Sequence, residues 1–288
     1  MATVSSLQYY SFAFNGFIFG GTGSPYQVTK VDGLEALPNI RNQDDSRGYA
    51  DGMFSGNDFL SGRTITISIL TLPGNGNTAH KNFDLLQGAL LPQRSGTTPL
   101  QFQLSAAGGL QRVNGRVRGN ITTVDPEYTY GYIKSVYTFF CPDPRYYDDT
   151  LQSATLAVGN PLGRQYNRTY NLSYGGGSST LTTTVTNAGW ATTYPIITLN
   201  GPITNPTLGN STQSAYITIS GTYANTDTLI IDLDQKLVTL NGNPARNLIS
   251  GGSNWFSAPP GNNSFFLAGT GTLIGTTAAT ITWRNAYI

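Results

Sequence analysis

Side chains capable of acid–base or nucleophilic chemistry are scarce in this chain. Its 288 residues include one histidine, His80, one cysteine, Cys141, and only two glutamates, Glu35 and Glu127. A single cysteine excludes an internal disulfide, and one His with one Cys cannot supply the several ligands of a zinc site. No GxSxG serine accompanies His80, so a surface or interface histidine is favoured over a catalytic one. The sequence therefore predicts no enzyme, no cofactor and no His/Cys metal site.

Paired carboxylates are the remaining catalytic option, because glycoside hydrolysis needs only two acidic groups. The pairs Asp44/Asp45 and Asp148/Asp149 are adjacent in sequence, and adjacent side chains on a strand point to opposite faces. Asp232 and Asp234 would share a face near a hairpin turn. They could form a corner of a Ca²⁺ site, but a polar strand end is the favoured interpretation. The chain contains neither the GxxxxGK[ST] nor the GxGxxG phosphate-binding pattern.

Charged residues are concentrated in one short segment, residues 40–56, although only 11% of the chain is charged. Its charged members are Arg41, Asp44, Asp45, Arg47 and Asp51. One interpretation is a solvated loop with local ion pairs, each worth less than about 1 kcal/mol. The other is an extended arm that reaches a neighbouring subunit, which makes these five residues candidate subunit contacts.

Three arginines lie on one predicted strand, residues 111–118. Arg112, Arg116 and Arg118 are spaced by four and two, so they point to the same face. A solvated sheet face, a subunit contact and a basic patch are all open interpretations. Nucleic-acid binding is disfavoured because the net charge is only +1 and no stacking aromatic residues alternate with the arginines.

Local patterns predict the elements that would position these groups. Asn15-Gly16 between two aromatic runs is a hairpin signal, and residues 63–72 alternate as a strand does. Thr78 is a candidate N-cap for a helix that Pro92 ends. Its apolar stripe would be Ala79, Phe83, Leu86 and Leu90. This is the one short α-helix that we expect.

The stretch FFCPDPRYYDD, residues 139–149, marks a change in composition. Only five Lys or Arg and three Asp follow it, and Thr, Ser, Asn and Gly predominate. We expect two domains, residues 1–145 and 146–288. Pro142 and Pro144 would stiffen the connection, and Tyr146 and Tyr147 would pack the second domain against the first. Cys141 would be a buried small residue.

Short strands at regular spacing predict a β-sandwich for the second half. The candidates are 151–158, 165–173, 179–186, 195–199, 215–220, 228–233, 236–240, 264–268 and 278–284. The fold class is therefore mainly all-β: an N-terminal β-sandwich-like domain with one helix, then a C-terminal β-sandwich. Of the tryptophans, Trp283 suits the core. Trp255 lies in a loop, where it either plugs the sandwich end or stacks on a sugar.

Ordered short motifs across most of the chain resemble the distal tail proteins of siphovirus-type bacteriophages, whose tails are long and non-contractile. In the first half these are FNGFIFG, VTKVDGLEALPNIRNQDDSRGYADGMFSGNDF, RTITISIL, AHKNFDLLQGALLP and FFCPDPRYYDD. In the second half they are LIIDLDQKLVTLNG, NWFSAPPGNNSFFLAG and ITWRNAYI.

The resemblance implies a homo-hexameric ring formed by the N-terminal domains, with a galectin-like or carbohydrate-module-like domain outside it. The implied neighbours are the tail tube protein and a tail-tip hub or tail-associated lysin protein, with DNA present only in transit. The implied location is the virion tail tip, after assembly in the host bacterial cytoplasm. We expect no signal peptide and no membrane insertion, since no apolar run is long enough to span a bilayer.

The sequence is therefore compatible with two functions. The first is a structural, self-assembling tail-tip component without catalysis. The alternative is a carbohydrate-binding protein of host-surface recognition, with Trp255 as the candidate sugar contact and host cell-wall carbohydrate as a further partner. The two functions are compatible.

Overall fold

The computed structural model describes residues 4–105, 108–157, 181–270 and 277–288. It divides into two compact units, one of Met1–Asp149 and Ile288 and the other of Thr150–Tyr287. The first unit extends a few residues beyond the sequence-based boundary at 145/146. The reason is that Tyr146–Asp148 forms a strand that pairs with Gln111 and Arg112 of the first unit.

Unit 1 consists of strands with two α-helices. Its elements are β1 (Ser11–Phe14), β2 (Phe17–Gly20), β3 (Tyr26–Asp32), β4 (Ile40–Arg41), β5 (Asp45–Ser46), β6 (Met53–Phe54), β7 (Phe59–Leu60), β8 (Arg63–Thr71), α1 (Ala79–Ala89), β9 (Thr98–Gln103), β10 (Gln111–Thr123), α2 (Pro126–Thr129), β11 (Ile133–Cys141) and β12 (Tyr146–Asp148).

The main sheet of unit 1 has the order β2-β1-β9-β10-β11-β8-β3, and β10 belongs to both of its halves. Residues 111–115 of β10 pair with β9, whereas residues 116–123 pair with β11 across a bulge. The two halves share one buried core, in which Phe14 of β1 meets Phe139 of β11 edge-on at 5.3 Å. Because inward residues alternate with outward ones along β8 and β11, one face of each strand is buried.

The predicted hairpin and helix are confirmed. Asn15 and Gly16 connect β1 to β2 with φ of 51° and 82°, the left-handed conformation that an Asn-Gly hairpin turn requires. The side chain of Thr78 accepts a hydrogen bond from the Lys81 amide and caps α1. The whole predicted apolar stripe of this helix is buried.

The expectation of a single helix is wrong, because a four-residue helix, α2, follows β10. Asp125 caps it by accepting from the Tyr128 amide at 3.0 Å, and Pro126 occupies its first turn. Both are ordinary helix-start signals. A helix this short has no apolar periodicity, so those signals alone could have predicted it.

Unit 2 is built from two antiparallel sheets. Its strands are β13 (Gln152–Ala157), β14 (Leu181–Asn187), β15 (Ile196–Asn200), β16 (Ile203–Asn210), β17 (Ala215–Thr218), β18 (Thr222–Tyr223), β19 (Thr228–Asp232), β20 (Leu237–Leu240), β21 (Asn243–Pro244), β22 (Gly261–Thr270), β23 (Thr277–Trp283) and β24 (Ala286–Tyr287), with 3₁₀ turns at Ser211–Gln213 and Arg246–Leu248.

The strand orders of the two sheets are β13-β23-β15-β19-β20-β21 and β14-β22-β16-β17, with β18 beside β16. Both sheets contribute to one buried core, for example Ile197 and Ile231 from the first and Leu208 and Phe265 from the second. The mainly β fold class is therefore confirmed. Among the predicted strands, residues 165–173 lie outside the described residues, as does part of 179–186, and β16 was not predicted.

Candidate assembly surface

The charged segment of unit 1 forms a narrow two-stranded projection, which we call the arm and define as residues 39–60. β4 pairs with β7 at its base, β5 pairs with β6 further out, and the Arg47 amide donates to the Gly52 carbonyl at the tip. Every residue of the arm is exposed except Asp44, which is half-buried. A two-stranded ribbon without a covered face is marginally stable on its own.

Large apolar side chains are the main feature of the arm surface. Tyr49 is fully exposed at the tip, and Met53, Phe54 and Ile40 are each more than half exposed. The remaining members are Phe59 and Leu60, and Leu37 is exposed just before the arm. Exposed apolar side chains grouped in this way make the arm a candidate interaction surface.

The charged residues of the arm have distinct positions. Arg41 lies over the Phe59 ring at 5.5 Å and Arg47 over the Phe54 ring at 5.1 Å. Asp44 accepts hydrogen bonds from the Gly56 amide at 2.8 Å and from the Asn42 side chain, so it holds the two strands together. Asp45 lies in β5 and Asp51 in the tip. The structure thus brings all five predicted residues together on the arm, with Asp44 engaged internally.

Residues 33–39, which lead into the arm and which we call its root, are held by Arg63. Arg63 is a buried residue at the start of β8. Its Nη1 donates to the carbonyl oxygens of Gly33 (3.0 Å), Ala36 (2.8 Å) and Leu34, and its Nε donates to the Pro144 carbonyl at 2.9 Å. Burial lowers the pKa of the Arg63 guanidinium, while the neighbouring Tyr146 and Cys141 act in the opposite direction. The lowered pKa still leaves the guanidinium charged, because arginine is not deprotonated in proteins. The backbone carbonyl dipoles therefore stabilise a buried cation.

Residues 142–149, which we call the exit segment, are attached to unit 1 by side chains. Asp143 accepts from Arg145 Nε at 2.8 Å and from the Tyr147 hydroxyl at 2.5 Å. Tyr146 packs against the unit 1 core and meets the Phe102 ring edge-on. The carbonyl of Pro144 is the acceptor for Arg63. The exit segment is therefore part of the packed unit.

The last residue of the exit segment, Asp149, forms a partly buried ion pair with Arg112. Arg112 Nε and Nη2 lie 2.6 and 2.5 Å from Asp149 Oδ1. The side chain of Gln101 donates to the same oxygen at 3.1 Å and also exchanges two hydrogen bonds with the backbone of Val4. Arg112 is thus committed within its own chain, which weakens its candidacy as a subunit contact.

Arg116 and Arg118 lie on the outer face of β10, where the spacing placed them. Arg116 is half-buried, and Arg118 is exposed and lies over the Phe140 ring at 3.6 Å. Residues 116–123 of β10 pair only with β11, and β3 pairs only with β8, within the part of the chain that the structure describes. The β3–β8–β11–β10 half of the sheet therefore has two open edges.

Cys141 is buried in the unit 1 core, as predicted. Burial raises the pKa of its thiol to about 12, with Arg63 acting in the opposite direction. Its sulfur lies only 2.7 Å from the position that a Cβ on Gly115 would occupy. The thiol is thus a packed apolar group, since a reactive cysteine needs an accessible thiolate.

The tryptophans of unit 2 differ in exposure. Trp283 is buried as predicted and donates to the Thr186 carbonyl at 3.0 Å. Trp255 is half-buried and packs against the unit 2 core, as expected of a plug at the sandwich end. Trp190 is 65% exposed and meets the Tyr287 ring edge-on at 4.7 Å. Trp190, which the sequence did not single out, is therefore the tryptophan with a free stacking surface.

Groups that could hold a metal ion are not found in the described ranges. Asp232 Oδ1 accepts from the backbone amides of Asp234 and Gln235 at 3.0 and 2.9 Å, which is the geometry of a polar strand end. No helix in the described part of the chain has the length and apolar character needed to cross a membrane.

The sequence did not reveal two features of the arm and its root. The first is the set of apolar arm residues, which lie between the charges in RGYADGMFSGNDFL. The second is Arg63. A usable signal existed, since Arg63 has the same parity as Ile65, Ile67 and Ile69 and so belongs to the buried face of β8.

Comparison with known proteins finds one family model and several solved structures that resemble parts or all of the chain. The family model described as siphovirus-type tail component, C-terminal domain, matches residues 188–287. No curated protein sequence matches the chain.

Among solved structures, Dit of phage SPP1, described as a paradigm of the hub adsorption apparatus in phages that infect Gram-positive bacteria, aligns with a TM-score of 0.62 and 16% identity. The alignment covers 96% of this chain and 99% of that one. A chain of the phage P2 baseplate in its activated, Ca-containing conformation aligns with a TM-score of 0.50 and 12% identity, over 96% and 97% of the two chains. Residues 188–287 therefore match the C-terminal domain of siphovirus-type tail components, and nearly the whole chain is similar in fold to Dit.

Proposed function

We propose that this protein is a phage tail component that assembles with copies of itself into a ring at the distal end of the tail, between the tail tube protein and the tail-tip hub or lysin protein. A hexamer with DNA passing through its lumen is the form that the resemblance implies. The observation that carries the proposal is the arm, an exposed ribbon whose large apolar side chains remain 42% to 107% exposed, although arginines lie over Phe54 and Phe59.

The energetics of the arm favour a partner. Complete burial of a Phe or Met side chain contributes about 1.5–3 kcal/mol, so covering Phe54, Met53 and Ile40 would offset much of the cost of association. Arg41 and Arg47 lie over aromatic rings and would stay paired with them when the arm is covered. Asp51 and Tyr49 at the tip would reach furthest into the neighbour.

The open sheet edges supply a second contact. A strand edge with unpaired amide and carbonyl groups pairs readily with another chain, and rings use repeated head-to-tail contacts. The free edge of β3 in one copy and residues 116–123 of β10 in the next are the two surfaces that can meet in this way. Arg116 and Arg118 would then lie beside the contact, together with Lys30 and Asp32 of β3, which form an ion pair at 2.7 Å.

DNA passage requires a surface that does not retain phosphate. The chain has a net charge of +1, and some of its cations are neutralised by carboxylates of the same chain, as in Arg112–Asp149 and Lys134–Glu127. A ring of such subunits would hold DNA weakly, because sequence-independent affinity grows with the number of phosphates that Lys and Arg neutralise.

The test is the solution mass of the full chain, measured with negative-stain imaging, alone and with tail tube or hub protein. We expect rings for the unmodified chain and monomers for a triple variant with Tyr49, Met53 and Phe54 changed to Ser. Those three residues are exposed, so the variant should fold normally. The matched control changes Tyr216 and Ile230 of unit 2, which are exposed to a lesser degree, to Ser. An unmodified chain that remains monomeric with every partner, or an arm variant that still forms rings, would refute the proposal.

Carbohydrate binding by unit 2 is the second candidate, and the exposed Trp190 favours it. An indole face stacks on the apolar face of a sugar ring, and Tyr287 supports the indole from the side. Binding of the full chain to a glycan array, lost in Trp190→Ala and kept in a folded conservative Trp255→Phe variant, would support it. An array without any bound glycan would count against it.

A further inference from the structure

We propose that Arg63 is a positioning residue that joins the root of the arm to the exit segment, so that the two are held in one geometry. The inference rests on the proposed function, since its consequence for assembly depends on the arm being the subunit contact. The joint itself is a property of one chain and can be measured without a ring.

Arg63 occupies a branch point of the chain. Gly33, Leu34 and Ala36, whose carbonyls it binds through Nη1, precede the arm, and Arg63 itself follows the arm three residues after Leu60. A single guanidinium therefore spans both ends of the arm. Its Nε reaches in the other direction to the Pro144 carbonyl, 81 residues further along the chain.

The chemistry of the joint is specific to arginine. The planar guanidinium presents donors on different edges at fixed angles, whereas a lysine ammonium is a compact charge that cannot span both groups. Arg63 is 2% exposed, so water cannot replace a lost donor. The Tyr146 ring of the exit segment lies 5.8 Å from the guanidinium carbon and adds a second contact on that side.

The backbone conformation at Gly33 places the root close to the Arg63 side chain. Gly33 has a φ of +81°, and a Cβ at this position would lie 2.1 Å from the Thr64 carbonyl oxygen. Only glycine lets the backbone approach β8 so closely, and this approach aims the Gly33 carbonyl at Nη1. Leu34 is then buried in the unit 1 core next to the joint. A displacement of the root would pull on the same guanidinium that holds Pro144.

The experiment is amide hydrogen exchange on the full chain under conditions in which it is monomeric. In Arg63→Lys we expect exchange to become roughly tenfold faster in both residues 33–39 and the exit segment, the factor given by the loss of one charge-assisted hydrogen bond. Arg112→Lys is the matched control, since it touches the exit segment through Asp149 but not the root, so only the exit segment should respond. Faster exchange confined to the root, or spread evenly over unit 1, would refute the inference that Arg63 couples the root to the exit segment.

A second variant tests the joint from the other side without altering Arg63. Gly33→Ala disturbs the root, and the joint predicts faster exchange in the exit segment as well. Its control, Gly48→Ala, lies in the arm where a Cβ would meet nothing within 4 Å, and should change neither region. An unchanged exit segment in Gly33→Ala would overturn the inference.

Ring formation separates this inference from the proposed function. If the unmodified chain forms rings, the Arg63→Lys variant should need at least a tenfold higher protein concentration to form them. Equally good rings from that variant would refute the positioning role and leave the ring intact. If no chain forms rings, the proposed function fails while the exchange result still decides the joint.

Discussion

The Arg112–Asp149 ion pair should be a measurable source of stability in unit 1. Both side chains are about 85% covered, with exposures of 15% and 17%, and two guanidinium nitrogens lie within 2.6 Å of one carboxylate oxygen. Removing either partner would leave the other charge largely desolvated, so Arg112→Met or Asp149→Asn should each cost about 2–3 kcal/mol. This is more than an exposed pair, for which the usual value is below about 1 kcal/mol.

A double-mutant cycle isolates the pair, because Asn at position 149 retains an oxygen for the Gln101 side chain. The coupling free energy from urea unfolding of the four proteins should be about 2 kcal/mol. All three tryptophans, at positions 190, 255 and 283, belong to unit 2. Circular dichroism should therefore show the change while the tryptophan fluorescence transition remains constant. A coupling below about 0.5 kcal/mol, or an equal shift of the fluorescence transition, would refute the assignment of the pair to the stability of unit 1.

Three further outcomes are expected in unit 1. Leu86→Ala, on the buried face of α1, should lower the free energy of unfolding by about 2–5 kcal/mol, whereas Leu85→Ala on the exposed face should change it by less than about 1 kcal/mol, both measured by urea unfolding. Thr78→Ala should cost about 1 kcal/mol through loss of the N-cap and should accelerate exchange only in the first turn of α1. Folding raises the pKa of the Cys141 thiol from 9.0 to about 12. The contribution of the neutral thiol to the free energy of unfolding is therefore complete below about pH 9. It is lost between about pH 9 and 12, because the thiol of the unfolded chain deprotonates first. In Cys141→Ala, the free energy of unfolding should fall less steeply between about pH 9 and 12 than in the unmodified chain. An equally steep fall would contradict this prediction, and so would alkylation of Cys141 in the folded protein at pH 8.

Patterns that depend on neighbours in sequence were sufficient for much of the fold. Alternation along β8 and the four-three-four spacing of Ala79, Phe83, Leu86 and Leu90 reflect a face that must be buried, and burial follows directly from such periodicity. The Asn15-Gly16 turn is equally local, because it needs two residues that tolerate positive φ. The mainly β class and the family resemblance both follow from elements of this kind.

Contacts between distant parts of the sequence could not be predicted in the same way. Nothing near Arg112 in sequence identifies Asp149 as its partner, and the pairing depends on β12 lying beside β10. For the same reason the spacing of Arg112, Arg116 and Arg118 correctly places them on one face but cannot show that Arg112 is already neutralised. Trp190 and Trp255 are a similar case, because both lie in loops and only packing makes one exposed and the other half-buried.

Arg63 shows where sequence reasoning can be extended. A charged residue that falls on the apolar parity of an alternating strand must either break the strand or bring polar partners into the core, since an unpaired buried cation is too costly. The strand RTITISILT is intact, so polar partners were required, and the structure supplies them as backbone carbonyls from irregular segments. Irregular segments with carbonyls free for a side chain occur at loop roots and strand exits, because carbonyls within strands are used by the sheet. The parity of one arginine therefore predicts that polar groups gather at the start of β8, and the structure identifies them as carbonyls of the arm root and the exit segment.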